Sequence, residues 1–242
     1  MTPIYSRFVL AVICYAFFTS QSFAISTEPS GLPPNTEYRL MFLTDGKVDA
    51  TSSDIATYNS LVESEGLAAT GISGWTAIAS TETVDVITNT STQTSTSGIA
   101  VYLIDDTNKL LAPNYATLWG GSIQALLNVT PTDQLITDPS EAQTWTGSTS
   151  AGLPFATGEL GNASDNAYRG LSSATDTRWA GYVNLSKVAD RRLYGISPVL
   201  RSPSAATPVP TLSTYGFILT AIGFVLVASR RLRLSAGKSR KV

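Results

Sequence analysis

The chain has 242 residues, with 16 basic and 18 acidic side chains, one cysteine and no histidine. Without histidine there is neither the commonest metal ligand nor the commonest general base at neutral pH, so His-containing zinc sites and Ser-His-Asp or Cys-His nucleophile arrangements are excluded. All the acidic residues lie between Glu28 and Asp190, and residues 25–210 carry nine basic residues against those eighteen, a net of −9 that argues against nucleic-acid binding because phosphate contacts need Lys and Arg.

In chain order, Arg7 precedes an apolar run from Phe8 to Phe18, and Ser22-Phe23-Ala24 offers a small-x-small cleavage site. This is the layout of a secretory signal peptide over residues 1–24. Cys14 lies inside it, so the mature chain is expected to hold no cysteine and no disulfide. Residues 25–36, with Pro29, Gly31, Pro33 and Pro34, read as a linker.

Residues 37–200 form the expected exported domain. Tyr38 to Leu43 reads as a first strand, closed by the turn pair Asp45-Gly46. A helix follows, capped by Ser52 or Ser53, with Ile55, Tyr58, Leu61 and Val62 on one face and Gly66 at its end. Strands are expected at Trp75–Ala79 and Thr83–Ile87, and Thr88 to Gly98 is a polar loop. Ile99 to Ile104 is a further strand, turned by Asp105-Asp106-Thr107-Asn108. Tyr115 to Trp119 packs before Gly120-Gly121, residues 122–178 are loop-like, and late strands are expected at Trp179–Val183 and Leu193–Ile196. The fold class is therefore α+β: a single exported domain with short strands, one main helix and long loops.

Candidate chemistry within this domain is sparse. Asp45, Asp49 and Asp54, and separately Asp105, Asp106 and Asn108, have the oxygen ligands calcium takes, but not the spacing of an EF-hand loop. Such residues serve more often as turn aspartates, surface charges and helix caps. No other metal or cofactor is expected. Paired carboxylates hydrolyse glycosides without histidine, yet the sequence nominates no pair. Trp75, Trp119, Trp145 and Trp179 read either as core anchors or as sugar-stacking faces, with Trp145 and Trp119 the candidate ligand-facing residues. Asn-x-Ser/Thr triplets begin at Asn89, Asn128, Asn162 and Asn184, as chance allows in so Ser/Thr-rich a chain.

Residues 201–210 read as a Pro/Ser/Ala spacer. From Leu212 to Ala228 no residue is charged, and as a helix this run spans roughly 25 Å, near the lower limit for crossing a bilayer core. Residues 211–229 are accordingly expected to hold one C-terminal transmembrane helix. Residues 230–242 follow as a tail with Arg230, Arg231, Arg233, Lys238, Arg240 and Lys241, which the positive-inside rule keeps cytoplasmic.

Val209-Pro210-Thr211-Leu212-Ser213 followed by Gly216, the apolar run and the arginines resembles the IPTL-CTERM class of sorting signals, a relative of PEP-CTERM in Gram-negative bacteria. Tyr215 stands where the pattern usually has Trp, and the tail is longer than usual. The resemblance implies an exosortase-type processing enzyme as partner, cleavage near Pro210-Thr211, and release or attachment at the surface. A second resemblance covers the domain. One strand and then one helix is shared with C-type-lectin-like domains, and Trp145-Thr146-Gly147-Ser148 is similar to the Trp-x-Gly-Ser turn of the endostatin-type branch. Gly170-Leu171, Trp179 and a closing strand through Tyr194 follow in that branch's order. The family's disulfides, zinc histidines and sugar-binding triplets are all missing here.

Two function classes follow. The first is a non-catalytic exported cell-surface or extracellular-matrix protein, held in the inner membrane by its C-terminal helix before processing. The second is a carbohydrate-binding module using exposed tryptophans and carboxylates, with extracellular polysaccharide as partner.

Overall fold

The computed structural model describes residues 25–94, 98–105 and 107–204. The signal peptide, the sorting motif from Val209 to Gly216, the expected membrane helix, the tail arginines and Asp106 lie outside the described residues. Among the described residues no helix is long and apolar enough to cross a membrane. A compact unit ends at Ser202.

The fold is α+β and is organised by its first strand, β1 (Glu37–Leu43). Every β1 residue after Glu37 is buried. Alternation sends Tyr38, Leu40 and Phe42 into one apolar cluster and Met41 and Leu43 into another. A strand buried on both faces reads as a near-continuous apolar run, and this one does, interrupted after Glu37 only by the buried Arg39. It sits third in a sheet of order β2-β8-β1-β3-β4, with β9 also pairing β1. The members are β2 (Thr76–Ala77), β3 (Ala100–Leu103), β4 (Leu110–Ala112), β8 (Tyr194–Ile196) and β9 (Leu200–Arg201). The β1–β3 pair is parallel, with Leu40 opposite Tyr102, and every other pair is antiparallel. A parallel pair needs a crossover, and α1, β2 and α2 supply it. A second sheet has the order β5-β6-β7, built from β5 (Gln143–Trp145), β6 (Asn166–Leu171) and β7 (Val183–Ser186).

The main helix, α1 (Ile55–Thr70), is longer than expected and differently capped. Asp54 is the N-cap, accepting the Ala56 N–H at 2.9 Å, while Ser52 bonds Thr57. Gly66 does not end the helix. It lies on the buried face with Tyr58 and Val62, where a Cβ would fall 2.6 Å from three atoms of the Trp75 ring. The helix stops at Gly71, in the left-handed region at φ 72°, with its N–H on the Leu67 carbonyl.

Three further expectations fail. Thr83–Ile87 is not a strand; α2 (Val86–Thr90) forms instead. Its first N–H donates to the Ser80 hydroxyl, and its last carbonyl, on Thr90, accepts from buried Arg39. Those tertiary bonds override the strand preference of the β-branched run. Trp179–Val183 is not a strand either. Asp176 caps a 3₁₀ turn (Thr177–Trp179) by accepting the Arg178 N–H, and β7 starts only at Val183. The stretch 122–178, read as loop, contains β5 and β6. Tyr115–Leu118 is a short helix, α3, capped by Asn114.

Residues assigned to the flanking linkers adhere to the domain. Ile25 and Leu32 pack on the apolar cluster, Arg201 belongs to β9, and Ser202 exchanges bonds with Thr36. Buried hydroxyls and guanidinia hold the loops together. Ser80 and Ser148 share a 2.8 Å bond, and Thr146 donates to the Ala180 carbonyl. Arg39 donates to the carbonyls of Ser197 and Thr90, both at 2.6 Å, with its guanidinium 5.9 Å from the Tyr115 ring centre.

Candidate functional site

The tryptophans are not ligand-facing. Trp145 is fully buried in the cluster behind β1, and its indole N–H donates to the Ala189 carbonyl at 3.0 Å. Trp119 stacks on Trp179 at 5.7 Å and donates to the Thr92 hydroxyl. Trp75 and Trp179 are also buried. In a loop-rich domain these rings are the largest apolar surfaces to be removed from water, and that requirement consumes all four. In the Trp145–Ser148 turn, Gly147 is at φ 60°, and a Cβ there would meet the Ser80 carbonyl.

The aspartates proposed for calcium are dispersed into separate structural tasks. Asp45 accepts from the Thr132 hydroxyl, Asp49 folds back on Thr51, and Asp54 caps α1. The bonds from Thr51, side chain first, hold the Asp49 carboxyl below its usual range. Asp105 is buried and accepts from the backbone and hydroxyl of Thr107, with Lys109 at 3.4 Å. The buried Asn108 donates to the Glu28 carbonyl. Among the described residues no three Asp, Glu, His or Cys side chains gather as a metal-holding group.

Other carboxylates close the fold. Both Glu65 oxygens accept backbone N–H groups, from Gly46 and Asp45, at 2.7 Å. Burial nevertheless pushes the Glu65 carboxyl above its ordinary range. Glu63 and Asn59 of α1 bond the backbone N–H groups of Gly74, Trp75 and Ala77, and Asn89 of α2 bonds the Ala77 carbonyl. These side chains cover the outer edge of β2, where an unpaired strand would recruit another chain.

One cleft, of about 430 Å³, is lined by Glu82, Thr157, Glu159, Asn162, Ala163 and Ser164. The loops meet because Thr81 pairs with Leu160, whose N–H donates to the Ser80 carbonyl. Asn162 is buried and fixes the floor: its amide donates to the carbonyls of Glu159 and Asn166 and accepts from the Ser164 N–H. Lys187 donates to the Asn162 carbonyl. Thr157 is a β-branched residue at φ 66°, a conformation such residues rarely adopt. The rim therefore offers two carboxylates and two hydroxyls to a hydroxylated ligand. Sequence reading gave no sign of this cleft, because Glu82 and Glu159 come from distant loops.

Compared with family models and with curated proteins, the chain matches none.

Proposed function

We propose that this is a non-catalytic exported protein of the cell surface or extracellular matrix, delivered through a C-terminal sorting signal. The observation that carries the reading is the arrangement of charge and hydrophobicity. Apolar segments with basic flanks stand at both ends, and an acidic middle free of histidine and disulfides lies between them. In this reading residues 1–24 are removed, and Leu212–Ala228 spans the inner membrane. An exosortase-type enzyme then acts near Pro210-Thr211. The C-type-lectin-like assignment of the domain is part of the same proposal. It is supported by the order of β1, α1, the buried Trp145–Ser148 turn and the closing β8.

Three features of the domain favour a non-catalytic role. Its aspartates serve as caps and turns. Its buried arginines meet backbone carbonyls. Its tryptophans serve the core. The carbohydrate-binding alternative loses its exposed tryptophans and would have to work through the Glu82–Glu159 cleft. Export is tested by protease treatment of spheroplasts. Digestion of residues 25–210 is expected, and full protection would reject the proposal.

A further inference from the structure

Three strands that end a sheet have their outer edges covered. Asn59 and Asn89 take the main-chain groups of Ala77 on β2, the Gln124 N–H donates to the Leu111 carbonyl of β4, and the Trp145 N–H of β5 donates to the Arg192 carbonyl. β7 also ends its sheet, and it pairs only with β6. Asn184 stands opposite Tyr168, and Ser186 opposite Asn166. Tyr168 donates its N–H to the Gly158 carbonyl, and its own carbonyl accepts from Gly147. The Asn166 N–H donates to the Ser164 hydroxyl, and its carbonyl accepts from the Asn162 amide. The ladder between β6 and β7 therefore runs through Val183 and Leu185, with the Tyr182 N–H on the Arg169 carbonyl and the Lys187 N–H on the Asp165 carbonyl at its ends. Asn184 and Ser186 turn their N–H and C=O groups outward. Among the described residues only one of those four groups has a partner, the Ser186 carbonyl, which accepts from Ala189.

An edge of this kind is normally blunted by charge, by proline or by a covering loop. Val183–Ser186 has neither charge nor proline. Asn184 and Ser186 are exposed, and exposed apolar side chains flank them at Tyr182, Val183 and Val188.

The edge is complementary to itself. Two copies set antiparallel about a two-fold axis at Leu185 place Asn184 of each opposite Ser186 of the other. Each such pair exchanges two N–H···O=C bonds, so every outward group of both strands is used. A carbonyl has two lone pairs, and the Ala189 bond to Ser186 is kept. The same register sets Tyr182 of each copy toward Val188 of the other, joining exposed apolar side chains, and it opposes no like charges. That matters for a stretch with a net charge of −9, which elsewhere repels its own copy.

We propose that β7 is a homodimerisation edge, joining the β5-β6-β7 sheets of two copies of this chain into one continuous sheet. The pairing is short, which puts the dimer in the weak, concentration-dependent class. It does not rest on the surface role proposed above.

Sedimentation velocity of the full-length chain in detergent, at rising protein concentration, tests this. A monomer–dimer equilibrium is expected. Asn184→Pro removes one outward N–H, a change an edge strand tolerates, and should weaken association at least tenfold with the urea midpoint unchanged. Val183→Lys faces Lys187 of the other copy with a like charge and gives a second reading should Asn184→Pro fail to fold. In a Cys14→Ser background, Leu185→Cys should form an intermolecular disulfide on oxidation, because residues facing each other across the axis have Cβ atoms about 4.5–5.5 Å apart. Val183→Cys, which faces Lys187, should not. A monomer at every concentration, a dimer indifferent to both edge substitutions, assemblies larger than a dimer, or equal cross-linking of the two cysteine variants would overturn the proposal. None of these outcomes bears on export, which the spheroplast experiment reads separately.

Discussion

Gly66→Ala should destabilise this domain, against the usual rule for helices. Gly66 is in the interior of α1, and replacing an exposed mid-helix glycine with alanine normally gains about 1 kcal/mol. Here the added Cβ would stand 2.6 Å from three atoms of the Trp75 ring. Trp75 has little room to yield. It is 2% exposed, its ring centre is 4.9 Å from that of Phe42, and its indole N–H is held by the Ile72 carbonyl at 2.9 Å. Overpacking of a rigid core costs about 1–3 kcal/mol, and three simultaneous ring contacts set this case toward the upper end. Subtracting the helix gain leaves a net loss of about 1–2 kcal/mol. For a domain of this size that lowers Tm by about 2–8 °C, measurable by thermal or urea unfolding followed by circular dichroism. In a Trp75→Leu background the collision disappears, so the same substitution should cost nothing or stabilise. The cycle should then show coupling of about 1 kcal/mol or more. A Gly66→Ala variant as stable as the parent would refute the tight α1–Trp75 contact.

Arg39→Lys should cost about 2 kcal/mol, because one ammonium cannot reach both the Ser197 and Thr90 carbonyls; an unchanged urea midpoint would contradict this. Trp145→Ala should cost about 3–5 kcal/mol in unfolding experiments, and any loss of ligand binding should track the unfolded fraction rather than a lost contact surface. Glu65→Gln should change how stability depends on pH. A carboxyl whose folded pKa is raised above its unfolded value holds its proton more tightly when folded. Its contribution to stability is full below the unfolded pKa and declines as pH rises toward the folded one. The variant should lose that decline when unfolding is followed between about pH 4 and 7. Asp49, held low by Thr51, contributes oppositely, and its stabilisation is lost as pH falls through its folded pKa in parent and variant alike. Parallel pH curves for the two proteins would show that Glu65 titrates normally.

The parts of the fold readable in the sequence are those whose local signal and tertiary setting agree. Tyr38 to Leu43 is apolar except for Arg39 and becomes the central strand, and Tyr58 and Val62 mark the buried face of α1. The unreadable parts are decided by distant partners. Val86-Ile87 looks like strand until the Ser80 hydroxyl caps it and Arg39 takes its far end. Gln143–Trp145 is too short to carry a period, and it is a strand only because β6 and Arg192 lie beside it. The cleft falls in the same category. A carboxylate's neighbour across a loop leaves no trace in spacing. Tryptophan content was legible, but which rings face water was not, since both a core and a sugar shelf call for the same side chain.

The proposed export and processing are tested most directly by the intact mass of the protein recovered from surface material. The account predicts a species beginning at Ile25 and ending upstream of Tyr215. A full-length species from Met1 to Val242 as the only form would contradict it.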